Sequence, residues 1–147
     1  MTRNPDELRT ATSRAYYFLE LAENFRATEL NDFEAHIEAA ILFGRTAFHR
    51  LQTNYRKYPG WQKWWDSLAA DASVNFFRKE RDIILKEGPS KVGRNVWIGS
   101  GGGPPLAKNF YYYEDYQTPA TETIRNHLDV ITRYVADAEK QFGQSAS

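Results

Sequence analysis

The chain has no cysteine. That excludes disulfides, thiolate metal sites and a cysteine nucleophile. It has no net charge either, since Lys plus Arg number 19 and Asp plus Glu also number 19. A surface without overall sign offers no broad basic field for polyanions. Any nucleic-acid contact must therefore be local, and no DNA partner is expected. Long apolar runs are missing as well. No stretch approaches a membrane span, and the opening MTRNPDELRT lacks the apolar core of a signal peptide. The expectation is a soluble, cytoplasmic protein without a membrane partner. A length of 147 residues fits a single domain, 1–147, with one core. Aromatics, by contrast, are plentiful, with 4 Trp, 9 Tyr and 9 Phe. That much ring surface either fills a core or covers a partner.

The hydrophobic pattern is helical over most of the chain. Asn4, Pro5 and Glu7 form a helix-start signature. From there Leu8, Ala11, Ala15, Phe18, Leu19, Ala22 and Phe25 follow a 3.6-residue period, which predicts a first helix ending near Thr28. Asn31 and Glu34 repeat the capping device. Phe33, Ile37, Ala40, Ile41, Gly44, Ala47, Phe48, Leu51 and Tyr55 then make a long apolar stripe. The short link predicts that these two helices are antiparallel neighbours. Small residues at Ala40, Gly44 and Ala47 would let another helix approach closely. Tyr58, Pro59 and Gly60 break the pattern. A third helical stretch, WQKWWDSLAADASVNFFRKERDIILKEG, runs from Trp61 to Gly88 as one helix or as a short helix feeding a longer one. Gly88 before Pro89 reads as a left-handed cap and a stop.

Residues 89–118 hold three of the chain's six prolines and five of its nine glycines and form an insertion. Within it, 95–98 and 110–113 are β-branched or aromatic and flank a Gly-rich stretch, which predicts a loose β-hairpin with a long tip at 99–105. Thr118 and Pro119 read as the cap and first turn of a last helix. Its seam of Ile124, Leu128, Ile131, Val135, Ala138 and Phe142 stops at Gly143. The predicted class is all-α. Its form is an antiparallel four-helix bundle with an irregular or β-hairpin insertion before the last helix.

Most motifs that carry chemistry are absent. His36 lies near Glu34 and Glu38, but no Glu-x-x-His pair exists, and His49 and His127 stand on other faces or segments. No metal and no cofactor are expected. No serine sits in a Gly-x-Ser-x-Gly elbow. The stretch Gly99, Ser100, Gly101, Gly102, Gly103 lacks the Gly-Lys-Ser/Thr ending of a phosphate-binding loop and runs into two prolines. That leaves Arg78, Lys79, Glu80, Arg81 and Asp82, with Lys86 beyond. Read plainly, they are a charged helix face worth a few tenths of a kcal/mol per pair, on the order of ordinary surface pairs. Arg81, however, is four residues from both Phe77 and Leu85, beside the apolar stripe. From there Arg81 and Lys86 could project into a groove and hold a phosphate, with Asp82 orienting one of them.

The run from Phe76 to Pro89 resembles the HEPN superfamily, most closely its abortive-infection type. That family carries an Arg-(Asn/Asp)-x-x-x-His element near the end of a long helix, here Arg81, Asp82 and, in place of histidine, Lys86. The resemblance implies a helical bundle, a homodimer, and binding of RNA, a nucleotide or a partner protein in phage defence or a toxin–antitoxin setting. It also implies a metal-independent ribonuclease in which Arg81, Asp82 and Lys86 occupy the catalytic positions. A lysine can stabilise phosphate charge, but it is a poor proton shuttle near neutral pH. The enzyme so implied is a degenerate one. The rival expectation is a non-catalytic structural or interaction module, in which Trp61, Trp64, Trp65, Trp97 and Tyr111 to Tyr113 supply an interface.

Overall fold

The computed structural model describes residues 5–25, 29–98 and 107–143, and the side chains of 10–25, 29–95 and 110–143. The chain is mostly helical. Five α-helices are present among the described residues: α1 (Pro5–Ala22), α2 (Leu30–Tyr55), α3 (Trp61–Ser67), α4 (Ala72–Leu85) and α5 (Ala120–Ala138). A π-helical turn, Glu139–Gly143, extends α5. Three strands, β1 (Val92–Ile98), β2 (Ala107–Tyr113) and β3 (Asp115–Pro119), form an antiparallel meander in that order.

The side-chain pairs fix the helix directions. Phe18 stacks on Phe43 at 5.6 Å, and Phe25 lies against His36 at 4.7 Å. As α1 advances its partners on α2 recede, so the two are antiparallel. Tyr16 donates to Asp129, and Glu23 pairs with Arg125, which sets α5 antiparallel to α1. Tyr134 donates to Asp71 near the start of α4, while His127 meets Ser73 and Phe76 further along it, so α4 and α5 are antiparallel too. Every apolar residue expected on the α2 and α5 stripes is buried. A period of 3.6 residues with this many apolar positions leaves each helix one face to bury, and the helices bury those faces against each other.

Two end pieces close the structure. At one end α3 folds across the helices, with Trp61 fully buried against Trp64, Trp65, Tyr55 and Phe142. Trp61, Tyr55 and Phe142 are core, and the partly buried Trp64 and Trp65 pack against it. At the other end β2 turns Tyr111 and Tyr113 inward, where Tyr111 stacks on Phe33 at 4.3 Å. Tyr112 points the other way and lies over Gly93, its partner on β1, where any Cβ would meet the tyrosine ring. The side chain of Trp97 lies outside the described ones.

Several sequence expectations need correction. The helix α1 ends at Ala22, followed by a turn at Glu23 and Asn24, and Thr28 and Asn4 lie outside the described residues. Glu29, not Asn31, precedes the first turn of α2, and it makes no side-chain cap bond. The stretch from Trp61 takes the second of its two expected forms, a short helix feeding a longer one, and Asp71 starts α4 by accepting from the amides of Ser73 and Val74. The same helix ends in a Schellman motif, but the left-handed residue is Glu87 (φ 54°) rather than Gly88. Glu87 N–H bonds to the Ile84 carbonyl and Gly88 N–H to the Ile83 carbonyl. Gly88 is there for space, since a Cβ would stand 2.8 Å from Ile83 Cγ2. The insertion before α5 holds three strands, and Thr118 belongs to the third. Its hydroxyl donates to Asp115 while Pro119 takes the cap position. The expected hairpin tip at 99–105 and the tail from Gln144 lie outside the described residues.

A basic groove between two helices

Gly44 decides how close α2 comes to α4. A Cβ built there would lie 2.6 Å from Cε1 of Phe77, a buried ring. The two backbones can touch at this level only because residue 44 has no side chain. Helix geometry then sets the neighbours. Arg45 follows Gly44, and His49 lies one turn further along α2. Arg78 follows Phe77, and Arg81 lies nearly one turn further along α4. The close contact thus brings cationic residues from both helices to one seam.

The electrostatics show how near they are. The Arg45 guanidinium is pulled below its ordinary value by burial first, and then by the charges of Arg81 and Arg78, with Asp82 acting in the opposite sense. His49 is likewise lowered by burial, then by Arg45 and Arg81. Arginine stays protonated regardless, so the shift reflects a cost of burying this charge first and of holding it beside the other two second. The Nε of Arg45 is buried with no hydrogen-bond partner among the described residues. Arg45 and Arg78 line the same cavity of about 90 Å³, walled by Phe48, Trp65, Leu68 and Val74. Asn75 also lines it. Its amide donates to the Ala69 carbonyl, and its oxygen accepts from Arg78 Nη2 at 2.7 Å, which holds that guanidinium at the wall.

Arg81 is therefore part of a cluster, with its side chain 45% exposed and paired to Asp82 at 3.0 Å. Lys86 is the C-cap residue of α4 and is exposed. It lines none of the cavities described here. Reading the sequence missed Arg45 altogether, took Arg78 only as part of a charged helix face and set His49 apart from any site. A partial signal existed, because Arg45 sits beside the glycine of a small-residue stripe. Which helix packs on that glycine is a tertiary fact.

Two other polar clusters involve α4. On another side of α4, Glu80 is 2% exposed yet fully engaged. It accepts from Tyr113 at 2.6 Å and pairs with Lys91 at 2.8 Å, while Lys91 also reaches Glu114 at 3.4 Å. Burial pulls the Lys91 ammonium down, but the bond to Glu80 and the two carboxylate charges outweigh it and hold the net value above the ordinary one. The second cluster joins Ser73 Oγ to His127 Nδ1 at 2.9 Å, beside Asp71. It contains the residue types of a hydrolytic triad without the arrangement. Asp71 is occupied by the helix cap and by Tyr134, Ser73 is buried, and the imidazole lies flat on Phe76 at 4.1 Å. It is a latch between α4 and α5. Among the described residues no three metal-ligating side chains come together, and no helix is long and apolar enough to cross a membrane.

Comparison of the chain with protein-family models, with curated proteins and with solved structures gives no match.

Proposed function

We propose that this chain is a HEPN-like helical protein that binds RNA or a nucleotide through phosphate contacts in the groove between α2 and α4. One observation carries the reading. Three arginines from two helices share a partly buried seam with a single carboxylate, Asp82, among the charges that act on Arg45. Packing like charges together raises the energy of the free protein, and an anion removes that penalty. Arginine's planar donor fork suits phosphate oxygens in particular. The resemblance around Arg81 adds the expectation of a homodimer and of a role in phage defence or a toxin–antitoxin pair. It gives Arg81, Asp82 and Lys86 the catalytic positions, with Arg81 and Lys86 as charge stabilisers, although Lys86 stands at the end of α4 outside the cavity. Lys86 standing where the family has histidine favours binding over ribonuclease turnover.

The interaction module is the weaker reading, because Trp61, Trp64, Trp65, Tyr111 and Tyr113 pack inside the molecule or against its core. The experiment is a titration of fluorescent single-stranded RNA at two salt concentrations with wild type, Arg45→Gln and Arg81→Glu. Wild-type binding that weakens with salt and is lost in both variants supports the groove. Binding unaffected by either substitution removes it. A cleavage assay on the same RNA with wild type, Arg81→Ala and Lys86→His then separates binding from catalysis. Light scattering gives the oligomeric state.

A further inference from the structure

Resting on the groove reading above, we propose that the ligand group this site is built for is a terminal phosphomonoester, that of a nucleotide or of an RNA end, rather than the run of diesters along an RNA backbone. Charge, extent and shape each favour it.

The charge fits first. The charges that act on Arg45 are those of Arg81, Arg78 and one opposing carboxylate, Asp82, which leaves a positive excess at the seam, and burial with Arg45 and Arg81 disfavours a further charge on His49. A phosphomonoester carries about −1.5 to −2 at pH 7, whereas each backbone diester carries a single charge. One terminal group can therefore neutralise the cluster alone. Extent is the second point. A backbone track needs cations spaced along the strand, and this chain has a net charge of zero. Its cationic cluster is compact, spanning one turn of α2 and one turn of α4.

Shape is the third. Arg45 and Arg78 share a cavity of about 90 Å³ whose remaining wall is largely apolar, formed by Phe48, Trp65, Leu68 and Val74. A small recess lined by two arginines suits the compact end of a chain better than its middle. Arg78 is already held there through Asn75, so less freedom is lost on binding. Asn75 is a positioning residue in this account. The arginines are the contacts.

The test uses two oligoribonucleotides of one sequence, bearing either a 5′-phosphate or a 5′-hydroxyl, with adenosine 5′-monophosphate and a phosphoserine peptide as competitors. The expected result is about tenfold or greater preference for the phosphorylated oligonucleotide, the effect of one added set of charge-assisted bonds. Arg45→Gln and the more exposed Arg78→Gln should each erase that preference, and the second guards against a folding defect in the first. Asn75→Ala should reduce the preference without removing the salt dependence. If the mononucleotide competes as well as the phosphorylated oligonucleotide, the source is a free nucleotide. If it competes poorly, the source is an RNA end. Equal affinity for both oligonucleotides, lost in the arginine variants, overturns the terminal-phosphate proposal and leaves the groove reading standing. Competition by the phosphopeptide equal to that of the nucleotide overturns the nucleotide class. Absence of binding to every probe ends both readings.

Discussion

The helix α4 carries charge on two sides, and the two sides treat it differently. Toward the sheet, Glu80 is almost completely buried, and its carboxylate is met by Lys91 and Tyr113. Toward α2, Arg78 and Arg81 stand near Arg45 with far less to balance them. A buried charge that is fully partnered is a fixed part of the structure, since removing one partner leaves another charge stranded. A half-exposed cluster of like charges is unfinished, and it gains from whatever completes it. The difference separates what holds the fold from what meets a ligand.

The largest effect should come from the finished side. Replacing Glu80 by Ala leaves the Tyr113 hydroxyl without its acceptor and Lys91 with only the exposed Glu114, and should cost roughly 3 kcal/mol in urea unfolding. Glu80→Leu combined with Lys91→Met should recover most of that loss. If Glu80→Ala costs less than a surface substitution, the two sides do not differ as described. Next comes the contact that creates the groove. Gly44→Ala would gain helix propensity of about 1 kcal/mol in isolation, but its Cβ would press into the Phe77 ring. We expect a net loss of about 1–3 kcal/mol, together with weaker RNA binding as the helices move apart.

Removing a charge from the unfinished side should act in the opposite direction on stability. Arg45→Met keeps much of the volume and relieves the repulsion, so unfolding of the ligand-free protein should be unchanged or up to about 1 kcal/mol more costly. RNA binding should disappear. Opposite signs for stability and binding at one residue would sharpen the contrast with Glu80, where both should fall together. The smallest effect concerns pH. Burial, then Arg45 and Arg81, hold the His49 imidazole below its ordinary 6.5, and burial holds His127 below it despite Asp71. The folded state therefore prefers both imidazoles neutral, and below pH 6.5 the unfolded chain takes up more protons. Stability from these groups is present above 6.5 and is lost as the pH falls through their lower folded values. An NMR titration should place His49 below 6.5 in the free protein and move it upward when phosphate ligand binds. A His49 midpoint at or above 6.5 without ligand would contradict the cationic environment.

Much of the fold was legible beforehand. The stripes of α2 and α5 are buried residue for residue, because a 3.6-residue apolar period leaves only one face to hide. The breaker at Tyr58, Pro59 and Gly60 separates α2 from α3, with Gly60 at φ 83°. Caps were less legible. Asn31 and Thr118 had the right chemistry, yet Glu29 and Pro119 stand at the cap positions, because chain entry is set by what precedes each helix. The third strand was missed because Asp115, Tyr116 and Gln117 are exposed and show no apolar alternation. The pattern around Arg81 also misjudged α4. Leu85, read as part of its apolar face, is 56% exposed, while charged Glu80 is buried. A periodic pattern ranks faces by hydrophobicity and gives no weight to a carboxylate whose lysine lies eleven residues on.

The sequence by itself determined the helices, their approximate ends, the glycine that permits a close approach and the absence of cysteine chemistry. These depend on neighbours three or four residues apart, or on composition. Only the tertiary structure decided that Gly44 meets Phe77, and so that Arg45 and His49 of one helix join Arg78 and Arg81 of another. Coulomb interactions act through space, and residues 45 and 81 become neighbours only when two helices far apart in the chain are packed together.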